Sequence, residues 1–329
     1  MLKSADLKGL YAIIPTPARP GAEAVDATNT VDLAETERLI NALLRDGSSG
    51  LIVLGTTGEC ATLSNADYEA FVDCACRVVG RRVPLFVGAT ALGAHEAYRR
   101  LTFARDRGAD GSLLGMPMWQ PMTTDMALRY YAEVSAALPE FAIMVYANAR
   151  AFRYGFPLDF WSELIKVAPS VISAKYSRSE GLSKLIEVTK RRINFMPIDM
   201  SVAEFHGISP ETTTACWATA AAMGPEPAVA VIDAAQRHDE AQLKTIDADI
   251  AWTNEPIMEL LAKPEIFASY NIQVEKIRIE TAGYCRPGPV RPPYNVIPES
   301  YAEAARECGR RWATLRSRMT AREKSAAVG

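Results

Sequence analysis

Val171-Ile172-Ser173-Ala174-Lys175-Tyr176 is the stretch on which the fold turns. It follows Pro169-Ser170, and its first four residues are apolar or small, the composition of a short buried strand. A lysine closing such a strand is unusual, because lysine is seldom buried without a partner. Taken alone, Lys175 reads as a strand cap turned to solvent. At the mouth of a barrel the same residue has a different chemistry: desolvation lowers an ammonium pKa, and the free amine can attack a ketone to form a Schiff base.

Working outward, similar apolar runs recur on both sides. Residues 10–14, 51–54, 83–89, 111–116 and 141–146 precede the lysine strand, 193–198 follows it, and a weaker, threonine-rich run covers 212–217. Helical patterns lie between them. Leu33, Thr36, Leu39, Ile40, Leu43 and Leu44 recur at helical spacing before Gly47. Ser64, with Asp67 three residues on, resembles a capping box opening a helix that reaches Gly80. Further helices are expected over 94–107, 124–138, 158–167 and 181–191. The strand runs are short and nearly continuously apolar, as parallel strands covered on both faces are. Eight strand–helix units in succession predict a (β/α)8 TIM barrel. An open doubly wound sheet is the alternative, but no GxGxxG follows the first strand.

Gly224-Pro225-Glu226-Pro227 marks the expected boundary between a catalytic barrel (1–223) and a C-terminal helical extension packed on it (224–329). Helices are expected there over 228–238, 239–253, 272–281 and 299–318, with a proline-rich loop at 286–298 and a frayed end at 324–329.

Composition narrows the function classes. The chain has 329 residues, 49% hydrophobic and 23% charged, with net charge −3. That charge offers no basic field for nucleic acid or an anionic membrane. No apolar run approaches the ~20 residues of a membrane span. The first residues do not read as a signal peptide, so a cytoplasmic location is expected. The six cysteines are scattered without CxxC spacing and read as free thiols.

Barrel enzymes carry their reacting groups at the C-terminal ends of the strands. Gly55-Thr56-Thr57 after strand two, Tyr146 ending strand five and Lys175 ending strand six all fall there. Amides and hydroxyls at 55–57 suit a carboxylate, a tyrosine hydroxyl passes protons, and an amine attacks a ketone. Together they describe a site for a 2-keto acid, with no metal and no cofactor beyond the covalent lysine. The three histidines, His95, His206 and His238, are far apart and lack ligand spacing.

With these residues in view, the whole chain resembles the N-acetylneuraminate lyase/dihydrodipicolinate synthase superfamily of class I pyruvate aldolases. Gly55-Thr56-Thr57-Gly58-Glu59 matches the family's carboxylate turn, Tyr146 its proton-transfer tyrosine and Lys175 its Schiff-base lysine. The usual Asn-x-Pro after the tyrosine is Ala147-Asn148-Ala149 here, and Trp119 stands where a second tyrosine is common. These departures, with Trp217 and Arg291-Pro292-Pro293-Tyr294-Asn295, resemble the hydratase-aldolase branch, which cleaves substituted benzylidenepyruvates to an aromatic aldehyde and pyruvate.

The resemblance implies that Asn148 orients water or the new hydroxyl, and that Trp119 and Trp217 either wall an aromatic pocket or pack in the core. Ile198 replaces a histidine found in relatives acting on an ortho-hydroxyl substrate. Arg178 and Arg153 would then suit an ortho-carboxylate, or be solvated surface charge. The expectation is a 2-carboxybenzylidenepyruvate enzyme, with the o-hydroxy compound as the alternative. A non-catalytic keto-acid-binding barrel is the reading from another class. The resemblance also implies a homotetramer.

Overall fold

The computed structural model describes the backbone of residues 2–326 and the side chains of 2–321. Eight parallel strands form one sheet in the order β7-β6-β5-β4-β3-β2-β1-β8. They are β1 (Gly9–Ile13), β2 (Gly50–Val53), β3 (Leu85–Val87), β4 (Gly111–Leu114), β5 (Ala142–Tyr146), β6 (Val171–Lys175), β7 (Asn194–Met196) and β8 (Ala215–Ala218). A parallel bridge between Ile198 and Trp217 joins the two outer strands, with the Trp217 amide donating to Pro197 O at 2.9 Å. The sheet is thereby closed into the expected TIM barrel. Its strands are buried nearly throughout, which is why they read as apolar runs rather than alternating ones.

Helices α1 (Leu33–Arg45), α2 (Asn65–Val79), α3 (Ala94–Asp106), α4 (Thr124–Ala137), α5 (Ala149–Phe152), α6 (Leu158–Val167), α7 (Leu182–Val188) and α8 (Val202–Ile208) fall between successive strands, one to each gap except that α5 and α6 share the gap between β5 and β6. At the start of α2 the Ser64 side chain accepts from the Asp67 amide, but Asp67 does not reciprocate. Its carboxylate instead takes the amide and hydroxyl of Thr30, so only half of a capping box forms.

The eighth strand starts later than its threonine run suggests. The Thr213 hydroxyl turns back onto Ser209 O and the Thr214 hydroxyl onto Leu7 O, so those residues close a turn before the strand begins. Helices α5 and α8 are too short for periodicity to reveal.

After β8, helix α9 (Glu226–Gln236) lies against β1 and β8, where an outer barrel helix sits. Beyond it come α10 (Glu240–Asn254), α11 (Met258–Leu261), α12 (Pro264–Ala282) and α13 (Glu299–Ala326). Helix α12 begins earlier than the 272–281 pattern because Pro264 supplies a favourable first-turn residue. Ile257, Leu260, Phe267, Val274, Ala305 and Cys308 make a separate small core under these helices. Of the expected frayed end at 324–329, residues 324–326 continue α13 and 327–329 lie outside the described residues. Among the described residues no helix is long and apolar enough to cross a membrane.

Candidate active site

Strand register brings the first two groups together. Tyr146 and Lys175 are paired residues at the ends of β5 and β6. The Lys175 amine lies 4.9 Å from the Tyr146 ring centroid and 3.3 Å above that of Trp217, the residue of β8 just before Ala218 closes it. Trp217 is fixed by its indole N–H, which donates to Tyr176 O at 3.3 Å, and by the barrel-closing bridge to Ile198. Ile198 is half-buried at that seam and offers no polar atom from its side chain.

Burial pushes the Lys175 amine from an ordinary value near 10.5 down to about 7; the Glu275 carboxylate works against this and the Arg150 guanidinium adds to it. Near neutral pH a substantial fraction of the amine is therefore unprotonated and nucleophilic.

The Tyr146 hydroxyl shares a 2.8 Å hydrogen bond with the Thr56 hydroxyl. Asn148 Nδ2 approaches the same phenol oxygen at 3.4 Å, while its Oδ1 accepts the Ala151 amide and caps α5. Helix α5 in turn presses Phe152 edge-on against the Tyr146 ring, centroids 5.3 Å apart. Gly115 at the end of β4 makes room for this, since a Cβ there would stand 2.1 Å from the Phe152 ring.

The 55–59 turn is held from a distance. Its flanking residues Leu54 and Glu59 have φ of 58° and 54°, a left-handed conformation costly for such side chains. A Cβ on Gly58 would meet the Leu54 backbone at 2.7 Å. What over-determines the turn is the fully buried Glu59 carboxylate. It takes the Lys276 amine at 2.7 Å, the Arg291 guanidinium at 2.6 Å and the Arg291 amide at 2.8 Å. The Thr16 hydroxyl donates to Gly58 O at 2.7 Å. So fixed, the turn carries Gly55, Thr56 and the buried Thr57 beside Tyr146, and the amides of Thr56 and Thr57 donate to no other described residue.

Lys175, Tyr146, Asn148, Gly55, Thr56, Thr57, Trp217 and Ile198 thus sit on one rim. Three predicted residues do not join them. Trp119 is 78% exposed. The exposed Arg153 spends its guanidinium on the carbonyl oxygens of Trp119 and Met118. Arg178 is exposed after β6. The charges that do act on Lys175 are Arg150, two residues beyond Asn148, and the buried Glu275 of α12, which pairs with Arg278 at 2.9 Å. Sequence reasoning missed both. Glu275 had one available signal: three charged residues (Glu275, Lys276 and Arg278) crowd an otherwise apolar helical pattern. Among the described residues no three His, Cys, Asp or Glu side chains converge to hold a metal.

Comparison with known proteins identifies the family. Residues 22–307 match the model of the dihydrodipicolinate synthetase family. The trans-o-hydroxybenzylidenepyruvate hydratase-aldolase of Pseudomonas putida is 37% identical over 96% of each chain. The trans-2'-carboxybenzalpyruvate hydratase-aldolase of Nocardioides sp. (strain KP7) is 35% identical over 97% of this chain and 96% of its own. Among solved structures, PhdJ bound to a substrate intermediate superposes with a TM-score of 0.92 at 32% identity, covering 96% of this chain and 98% of that one.

Proposed function

The chain belongs to the dihydrodipicolinate synthetase family, and from that membership and the rim geometry we propose that Lys175 is the Schiff-base nucleophile of a hydratase-aldolase. Its substrate in this reading is an ortho-substituted trans-benzylidenepyruvate, which with water yields an aromatic aldehyde and pyruvate. The observation that carries the proposal is the Lys175 amine, lowered to about 7 and paired in register with Tyr146.

The keto acid docks with its carboxylate on the free amides of Thr56 and Thr57. The Lys175 amine adds to the C2 carbonyl, and loss of water gives an iminium conjugated to the C3–C4 double bond. Water adds at C4, the carbon bearing the ring, and converts the iminium to an enamine; the proton it gives up is relayed by the Tyr146–Thr56 hydroxyl pair to C3, which restores the iminium, with Asn148 orienting the new hydroxyl. Deprotonation of that hydroxyl breaks the C3–C4 bond, releasing the aldehyde and leaving an enamine on Lys175. Protonation at C3 and hydrolysis free pyruvate and the amine. No cofactor or metal is required. Trp217 backs the lysine and one side of the pocket.

Of the two ortho substituents we favour carboxylate. The hydroxy- and carboxy-named relatives match at nearly equal identity, 37% and 35%, so the choice rests on charge. Arg153 is committed to the 118–119 loop, whereas Arg150, exposed and 5.8 Å over the Phe267 ring, is close enough to act on Lys175 and makes no hydrogen bond to a described residue. Ile198 removes a polar group from the seam. We further propose that the subunits form a homotetramer; the exposed apolar residues Leu92, Trp119 and Met126 of neighbouring strand–helix units support this reading.

Pyruvate with borohydride tests the chemistry: a reduced pyruvyl adduct is expected on Lys175 and none on Lys175→Ala, which should also lose turnover. Absence of the adduct, or turnover abolished by a chelator, overturns the mechanism. Aldehyde release from the 2-carboxy and 2-hydroxy substrates tests the substituent, and a higher kcat/KM for the hydroxy compound overturns the carboxylate assignment alone.

A further inference from the structure

Two of the three histidines, separated by 32 positions in sequence, meet on the outer face of the barrel. His206, on α8, is 2% exposed. His238, in the turn between α9 and α10, is exposed and held at φ 56°. Their rings face each other with centroids 5.4 Å apart, and His206 Nε2 lies 3.2 Å from His238 Nδ1. The other nitrogen of His206, Nδ1, faces the Glu240 carboxylate at 3.4 Å.

This arrangement has the parts of an imidazole metal clasp. The Glu240 carboxylate 3.4 Å from Nδ1 favours the tautomer protonated on that side, in which Nε2 is the acceptor toward His238. A tetrahedral late first-row cation at ~2.0–2.1 Å from each nitrogen needs them about 3.3–3.4 Å apart. The observed 3.2 Å is within a few tenths of an ångström of that separation, so binding a cation requires the two rings to turn off the line of their hydrogen bond rather than to move apart. The carboxylate behind the buried imidazole is the outer partner that metal-bound histidines ordinarily have. His238 is on the surface, so a cation has a path in and water completes its coordination.

We infer that His206 and His238 form a two-histidine site for a late first-row divalent cation, oriented by Glu240 and joining α8 to the α9–α10 turn. The site is separate from the Lys175 rim and gives the cation a structural role rather than a catalytic one.

Isothermal titration of the reduced full chain with Ni²⁺ tests it, nickel being chosen because the six cysteines are all buried and zinc or copper would seek thiols. One Ni²⁺ per chain is expected. His238→Asn keeps a residue that tolerates positive φ and should weaken binding at least ~10-fold. Glu240→Gln, at a position 74% exposed and outside the coordination sphere, should weaken it about 10-fold through loss of imidazole orientation. His95→Gln, at the remaining histidine, should leave it unchanged. Failure of the parent chain to bind stoichiometrically, or equal affinity in His238→Asn, overturns the site; circular dichroism of each variant shows that a loss is not unfolding.

Discussion

Replacing Lys175 by methionine should abolish catalysis and make the protein more stable. The amine titrates near 7 in the folded chain against an ordinary value of 10.5. At about 1.36 kcal/mol per pH unit, this gap bounds the cost of burying the protonated amine at about 5 kcal/mol. Two effects reduce it. The ammonium 3.3 Å above the Trp217 centroid recovers up to ~2 kcal/mol, and the lysine as a residue retains some solvent contact. Methionine fills nearly the same space without a charge, so Lys175→Met should gain about 2–3 kcal/mol at pH 7.

The sign of the pH dependence follows from linkage. Between pH 7 and 10.5 the unfolded chain binds more protons at this residue than the folded one, so parent stability rises with pH across that window. The methionine variant lacks this rise. Its advantage should therefore shrink to less than ~1 kcal/mol at pH 10. Urea unfolding of both proteins at pH 7 and 10 measures this directly. Equal midpoints at pH 7, or an advantage that does not shrink with pH, would refute the claim that Lys175 carries a desolvated charge.

Three further outcomes follow from the same contacts. The initial rate of borohydride trapping with pyruvate should rise with pH through about 7; Glu275→Gln should move that midpoint down and Arg150→Gln should move it up, since the carboxylate favours the ammonium and the guanidinium opposes it. Tyr146→Phe removes the phenol that meets Thr56 at 2.8 Å, and should lower kcat by ~10²–10⁴ while the Lys175 adduct with pyruvate still forms; loss of the adduct itself would place the tyrosine's role earlier than proton transfer. Lys276→Met breaks one of the two cation contacts to buried Glu59, and should cost ~3 kcal/mol in urea unfolding and raise KM for the keto acid more than it lowers kcat.

The barrel was legible because its strands are short buried runs, each followed by a helical pattern, and that spacing has few architectural solutions. Lys175, Tyr146 and Thr56 were legible because strand ends in a barrel share one rim whatever the intervening sequence. Side-chain destinations were not. Arg153 and Arg178 differ from Arg150 in nothing that composition or spacing displays, yet only Arg150 comes within electrostatic reach of the lysine, because the short helix α5 turns the chain after Asn148. Trp119 and Trp217 illustrate the same limit. Trp217 lies within a strand and is fixed by the barrel seam; Trp119 sits on a loop and is left 78% exposed within the chain.

The deeper reason lies in the C-terminal extension. The 55–59 turn reads as a local motif, but its left-handed residues are not stable by local preference. They persist because Glu59 is gripped by Lys276 and Arg291, more than 200 residues further on. The same helix that supplies Lys276 brings Glu275 to bear on the lysine from the adjacent position. Helix α12 thus holds the 55–59 turn with one residue and acts on the Lys175 amine with its neighbour. A barrel truncated after β8 would keep Lys175, Tyr146 and Thr56 in its sequence and lose the buried charges that hold their turn and set their electrostatics. The extension therefore belongs to the proposed active site, although its sequence contains none of the residues proposed to do the chemistry.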